Sequence, residues 1–260
     1  MFAPIEDLSK IRILISNDDG IHAPGIKVLE RIARALSNDV WVVAPDAEQS
    51  AAGHSLTIRR PLRIRKLSRR RFSVDGTPTD SVLLGINHIL KDRKPDLVLS
   101  GINRGANLGE DVTYSGTVAA AMEAVILGVP AFAFSQFTTL DHPVKWATAE
   151  HWAPGIIRRA LSVGWGRNVL INVNFPDVLH NQVSGIEVAR QGKRKIGDEL
   201  AERLDPRGDP YVWIGAQRAE ERSAPGTDLE AVVRGAISIT PLCVDLTDHA
   251  TMGGLSAVFA

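Results

Sequence analysis

The chain has 260 residues, 30 basic against 30 acidic side chains, 44% apolar residues and one cysteine. That length supports a substantial core, arranged as one large domain or a domain with a smaller appendage. A formal charge of zero excludes the bulk attraction of a nucleic-acid coat or membrane-surface protein, and a lone Cys243 excludes an internal disulfide.

Short aliphatic runs alternate with segments of helical period, the pattern of βαβ units and a parallel sheet. Arg12 to Ile15 is an expected strand. Pro24 to Leu36 follows as a helix, with Ile26, Leu29, Ile32, Ala33 and Leu36 on one face and Pro24 in its first turn. Val40 to Ala44 reads as a buried strand and Arg71 to Val74 as a short one. Thr79 or Asp80 is expected to cap a helix to about Leu90, and Asp96 to Leu99 returns to strand before a polar loop, Ser100 to Gly116. A helix over Thr117 to Leu127 ends at Gly128-Val129-Pro130, and Ala131 to Phe134 resumes the sheet. Val144 to Leu161 is a further helix and Val169 to Phe175 a further strand. Beyond Pro176 the segments Gly185 to Arg190, Tyr211 to Ile214 and Ala236 to Thr240 look extended, with little helical period, so the tail is expected to be a β-rich appendage. The expected organisation is an α/β core over residues 1–176 and a β-rich segment over 177–260.

The N-terminal MFAPIEDLSKIRIL carries acidic residues where a secretory signal needs a basic flank, so a cytoplasmic location is expected. Val118 to Phe134, the most apolar stretch, is broken by Glu123 and the Gly-Val-Pro turn, short of the roughly 20 clean residues of a membrane span. No transmembrane helix is expected.

In an open parallel sheet, ligands bind beyond the carboxyl ends of the strands, where strand order reverses. Three expected strand ends carry oxygen-bearing side chains: Ser16-Asn17-Asp18-Asp19-Gly20, the loop from Pro45 to Ser55, and Ser100 to Asn107. Adjacent carboxylates at a partly buried strand end repel unless a cation compensates them. Carboxylate, hydroxyl and amide oxygens are hard donors that suit Mg²⁺, Mn²⁺ or Ca²⁺. The seven histidines and one cysteine show no zinc spacing. An ordinary solvated turn is the competing reading of Asp-Asp-Gly. Ser115-Gly116-Thr117 opens a helix whose free N–H groups and dipole suit a phosphate, or which Ser115 or Thr117 simply caps. Gly53 admits the same two readings, and His54 is either a phosphate donor or a polar packing residue. Arg59 to Arg71 holds eight basic residues in thirteen. It is expected as a strand or hairpin with one charged face, protecting a sheet edge, with anion steering as the alternative. Cys243 is expected to pack as a small apolar residue, and His249 has no partner suggesting a ligand set.

SNDDGIHAPGI (Ser16 to Ile26), VVAPDAEQSAAGHSLT (Val42 to Thr57), DGTPTDSV (Asp75 to Val82) and LVLSGINRGANLGEDVTYSGTVAAAMEA (Leu97 to Ala124) resemble, in order and spacing, the SurE, or stationary-phase survival, nucleotidases. SITPL and DLTDH near the C-terminus extend the resemblance over essentially the whole chain, while Gly185 to Glu230 is far less distinctive. The resemblance implies a Rossmann-like three-layer α/β core with a mainly parallel sheet, and a C-terminal β segment that joins subunits in a homodimer or homotetramer. It implies a phosphomonoesterase acting on nucleoside 5′-monophosphates, with 3′-monophosphates and short polyphosphate as further candidates, and no stable nucleic-acid partner. One divalent cation per subunit, Mg²⁺ or Mn²⁺, is implied on Asp18, Asp19, Ser50 and Asn103. Asn17, Gly53, Ser55, Asn107, Ser115, Gly116 and Thr117 fall in the segments around the implied phosphate pocket. Asp18 and Asp19 are both candidates for accepting the proton of an attacking water.

Two other classes compete. A nucleotide-sugar transferase that holds metal and diphosphate with an Asp-Asp pair would release nucleoside diphosphate, and a non-catalytic regulator would bind the nucleotide intact. A phosphoaspartyl enzyme ranks lower, because the haloacid-dehalogenase pattern separates its two aspartates by one residue. A dinucleotide oxidoreductase ranks lower too, because no G-x-G-x-x-G follows the first strand.

Overall fold

The computed structural model describes residues 1–139, 142–193, 200–214 and 224–259. A nine-stranded sheet carries the chain, and its order follows from where the sequence alternates. Strands β1 (Arg12–Ser16), β2 (Asp39–Pro45), β4 (Arg71–Val74), β5 (Leu97–Arg104), β6 (Ala131–Gln136) and β7 (Val169–Phe175) run parallel. Antiparallel β3 (Ile64–Ser68) closes one edge, and β8 (Ile186–Val188) and β11 (Ile237–Cys243) complete the other, in the order β3-β4-β2-β1-β5-β6-β7-β11-β8. Strand order reverses between β1 and β5, so the crevice beyond their carboxyl ends is the expected ligand position.

Period-2 alternation separates two cores. Ile13, Ile15, Leu97, Leu99, Phe132, Phe134, Val173 and Phe175 face α1 (Pro24–Arg34) and, packed beside it, α4 (Trp146–Leu161). Their neighbours Leu14, Val98, Ala131, Ala133 and Leu170 face the opposite layer, α2 (Pro78–Leu84) and α3 (Gly116–Ile126). The small residues of β6 on that face, Ala131 and Ala133, let α3 lie close. Both layers are therefore set by residues one apart on the same strands, which is the expected three-layer α/β class.

Several boundaries move for local reasons. The helix expected to be capped by Thr79 or Asp80 is capped by Thr77, in a reciprocal box with Asp80, so it starts at Pro78, and it continues past Leu84 as a π-helical turn over Gly85–Ile89. The strand expected to stop at Leu99 runs on to Arg104 despite its glycine, and Gly109–Thr113 forms a 3₁₀ turn inside the expected loop. The basic run is a β3–β4 hairpin on the sheet edge. Arg60, Arg63, Arg70 and Arg71 pair with Asp75, Asp75, Asp39 and Glu30, as the edge-protecting reading anticipates.

Beyond Pro176 the expected extended segments are present as β8, β10 (Pro210–Ile214) and β11, and β9 (Leu200–Leu204) pairs with β10 in a separate hairpin. The expectation of little helix there is corrected by α5 (Asp228–Val233), capped by Thr227, and by α6 (His249–Phe259). In α6 no residue is buried, so the amphipathic period that flags a helix in sequence is missing. Cys243 is a second correction. It is exposed, because β11 turns Leu242 inward and its neighbour outward. Among the described residues no helix is long and apolar enough to cross a membrane.

Candidate active site

A cavity of about 520 Å³ opens at the carboxyl ends of β1 and β5, and its wall includes Asp18, Asp19, Ser50, Asn103, Asn107 and Ser115. Six of the residues singled out in the sequence are thus brought together from four separate stretches of chain. The other five do not line it: Asn17, Gly116 and Thr117 support Asp18 and Asp19, while Gly53 and exposed Ser55 lie further along the Ser50 loop. Asn17 is fully buried and donates from Nδ2 to the Gly20 carbonyl at 3.0 Å, fixing the turn that carries both aspartates. Gly53 donates its N–H to the Tyr114 carbonyl at 3.1 Å, and the Ser55 carbonyl accepts from the Thr77 hydroxyl at 2.8 Å. These bonds, with Thr57 N–H on Asp80 Oδ1 at 2.9 Å, tie the Ser50 loop to the α3 and α2 sides of the cavity.

Gly116 and Thr117 serve the site through Asp18. Ser115 caps α3 by accepting from Val118 N–H at 3.1 Å, and the Thr117 hydroxyl donates to Asp18 Oδ1. The Thr117 backbone beside it also favours the ionised carboxyl. The start of α3, read from sequence as an anion site, thus holds the Asp18 carboxylate at its positive end. A side chain at Gly116 would put its Cβ 2.7 Å from Asp18 Cβ, so the close approach requires glycine. Gly25 is constrained in the same way, since a Cβ there would sit 1.9 Å from the Ile102 carbonyl oxygen.

The electrostatics follow from this crowding. Burial pushes the Asp18 carboxyl above its ordinary range, opposed by the Thr117 hydroxyl and raised further by Glu48. Asp19, less buried, is pushed up to about 6, first by burial and then by the Asp18 charge, with the Arg104 N–H at 3.2 Å pulling the other way. The Arg104 charge offsets this crowding only in part, since the Asp19 carboxyl still sits well above its ordinary range, and a divalent cation would compensate the pair. Among the described residues no three His, Cys, Asp or Glu side chains gather into a metal cluster. The available donors are instead two carboxylates, a hydroxyl and an amide oxygen. Asn103 donates from Nδ2 to the Gly105 carbonyl at 2.9 Å, and its Oδ1 carries no hydrogen bond among the described residues. Asn17 Oδ1 is likewise buried and without a partner. A hard-oxygen set with unpartnered oxygens fits Mg²⁺ or Mn²⁺ and does not fit zinc.

Sequence reasoning passed over several wall residues. Glu48 lines the cavity and accepts from the Ser50 hydroxyl at 2.7 Å. It lies two residues before Ser50 in the same loop, so its charge was a visible signal. Arg104, next to Asn103, was visible in the same way. Tyr114, Val144 and Trp146 also line the wall. Trp146 opens α4, where nothing in the local pattern distinguishes a cavity wall from a core position. His54 bonds Glu123 Oε2 on α3 at 3.0 Å, which is the packing alternative of its two readings.

The family model described as Survival protein SurE matches residues 13–198. The 5′-nucleotidase SurE of Paramagnetospirillum magneticum is 75% identical over 258 residues, covering 99% of each chain. The 5′-nucleotidase SurE of Rhodospirillum rubrum is 59% identical over 264 residues, covering 100% of each. The crystal structure of the SurE protein from Aquifex aeolicus superposes with a TM-score of 0.84 at 42% identity, over 96% of this chain and 100% of that one. With the strand-end aspartates, the Ser50 loop and the Asn103 turn all set into the matched span, the chain belongs to the SurE family.

Proposed function

We propose that this protein is a divalent-metal-dependent phosphomonoesterase that hydrolyses nucleoside 5′-monophosphates to nucleoside and phosphate. Full-length relatives named 5′-nucleotidase SurE support the activity. The observation that carries it to this chain is that buried Asp18 and half-buried Asp19 line one cavity with Ser50 and Asn103. Asp18, Asp19, the Ser50 hydroxyl and Asn103 Oδ1 would hold the cation. When bound, that cation supplies Lewis-acid polarisation of a phosphoryl oxygen and an acidified water.

The chain's own groups do the rest. The positive end of α3 offsets the charge of Asp18 and of the phosphate beside it, while Ser115 and Asn107 line the position a phosphate ester would take. Each aspartate has one oxygen engaged, Asp18 with Thr117 and Asp19 with Arg104 N–H, and Asp19, the less buried of the two, is the better-placed acceptor for the water's proton. The water oxygen bonds to phosphorus, the ester P–O bond breaks, and the departing 5′ oxygen takes up the proton that Asp19 received, which returns the carboxylate to its starting state. The proposal extends to a homodimer or homotetramer joined through the C-terminal segment, in the cytoplasm. Phosphate release from a panel of nucleoside 5′- and 3′-monophosphates, short polyphosphate and a nucleotide sugar, with Mg²⁺ or Mn²⁺, tests it. Inorganic phosphate from 5′-monophosphates is the expected product. Nucleoside diphosphate from the sugar donor alone would favour a transferase instead, and intact nucleotide throughout would favour a regulator.

A further inference from the structure

Three fully buried polar side chains on β6 and β7 converge on a single residue of the cavity wall, Asn107. Asn174 Oδ1 accepts from the Asn107 N–H at 2.8 Å, and Asn174 Nδ2 donates to the Asn107 carbonyl at 3.0 Å. One side-chain amide thereby pairs with the loop backbone as a neighbouring strand would. Asn172, two residues earlier and so on the same face of β7, donates from Nδ2 to the same carbonyl at 2.9 Å. Ser135 Oγ lies 2.7 Å from Asn107 Nδ2. At the other end of the turn, Gly105 donates its N–H to the Gln136 carbonyl at 3.0 Å and accepts from Asn103 Nδ2. The turn from Asn103 to Asn107 is fastened at both ends to β6 and β7.

Burying this many amides is costly when one atom is left over, and one is. Asn172 Oδ1 is buried with no hydrogen-bond partner among the described residues. Thr240 stands opposite Asn172 in the β7–β11 register, but its hydroxyl lies 3.4 Å from Ser238 Oγ instead. An unpartnered buried oxygen carries a full desolvation penalty, and an apolar side chain of the same shape does not. Leucine at 172 would remove that penalty, and the Asn107 carbonyl would keep its Asn174 donor. Asn172 therefore gives the fold one hydrogen bond, to a carbonyl that Asn174 also serves, against one unpartnered oxygen. Groups kept against the interest of stability mark function.

We infer that Asn172 and Asn174 are positioning residues, which act through Asn107 by holding it rigid in the wall against which substrate rests. The inference deepens the phosphomonoesterase reading and relies on it for the kinetic readout alone. The test is Asn172→Leu, with Ser135→Ala as a gentler second variant. Three quantities are measured with Mn²⁺ present: melting temperature, its increase on adding AMP, and steady-state hydrolysis of AMP. Asn172→Leu is expected to melt at or above the parent temperature, to gain less from AMP, and to lose about tenfold in kcat/KM, chiefly through KM. Ser135→Ala should move the AMP shift and KM in the same direction by a smaller factor. A lower melting temperature with parent-like KM and AMP shift means a merely structural amide and overturns the inference. So does failure of Asn172→Leu to fold. If the parent binds AMP without hydrolysing it, the nucleotidase reading fails and the AMP shift still scores the cradle. No AMP effect on the parent sinks both.

Discussion

Replacing Thr117 by valine removes one hydroxyl from the centre of the site and little else. Thr117 is fully buried and valine fills the same space, so no cavity opens and the start of α3 keeps its Ser115 cap. What goes is the hydroxyl donor on Asp18 Oδ1, the largest influence opposing the burial that pushes the Asp18 carboxyl up. A hydrogen bond to a charged group contributes about 1.5–3 kcal/mol, and supporting partners of metal ligands typically change affinity by about 10–100-fold when lost. Without the hydroxyl, Asp18 holds its proton more tightly, and a cation must displace that proton to bind. We expect Mn²⁺ affinity, measured by calorimetry, to fall by about tenfold or more at neutral pH, with a larger deficit at lower pH. The metal-free melting temperature should change little, since the protonated carboxyl tolerates its apolar surroundings better than the carboxylate. An Mn²⁺ affinity within about twofold of the parent would refute the reasoning, because Asp18 would then not be a ligand supported by Thr117.

Gly116→Ala acts on the same carboxylate by crowding. Its Cβ would meet Asp18 Cβ at 2.7 Å and Pro78 Cγ at 3.0 Å. We expect a loss of about 1–3 kcal/mol in denaturant unfolding and about a hundredfold in kcat from the displaced Asp18. Parent-like kcat would show that Asp18 has room to move. Stability should also depend on pH. The folded-state pKa of Asp19 is raised from 3.8 to about 6, so its contribution to stability is full below about 4 and is lost as pH rises through 6. Metal-free protein should therefore lose about 1–2 kcal/mol from this partly exposed group between pH 4 and 7, while the gain in melting temperature on adding Mn²⁺ grows over the same range. A metal-induced gain that shrinks with rising pH would contradict the assignment.

The layers and the site were legible in the sequence where periodicity or charge was local. Ile13 and Ile15 against Leu14, and Phe132 and Phe134 against Ala131 and Ala133, alternate so regularly that a sheet buried on both faces follows directly. Asp18 and Asp19 stood out because adjacent carboxylates after a strand demand compensation. Residues whose meaning depends on distant partners did not stand out. Asn172 and Asn174 look like polar interruptions in a buried strand, and only the return of the Asn103 to Asn107 turn across β6 and β7 gives them a partner. Thr117 reads as an ordinary cap residue until the end of β1 is placed against α3. In the tail, α6 escapes because a helix with no buried face carries no period, and α5 is too short to show one.

On the proposed function, the aspartate pair holds the cation on which cleavage of a nucleoside monophosphate depends. Phosphate release from AMP by the parent and by Asp19→Asn, each with Mn²⁺ and with chelator, tests it most directly. The account predicts release by the parent with Mn²⁺, abolished by chelator, and a loss of about a hundredfold or more in Asp19→Asn at saturating metal. Release that survives the chelator, or an Asp19→Asn enzyme near the parent rate, would contradict it.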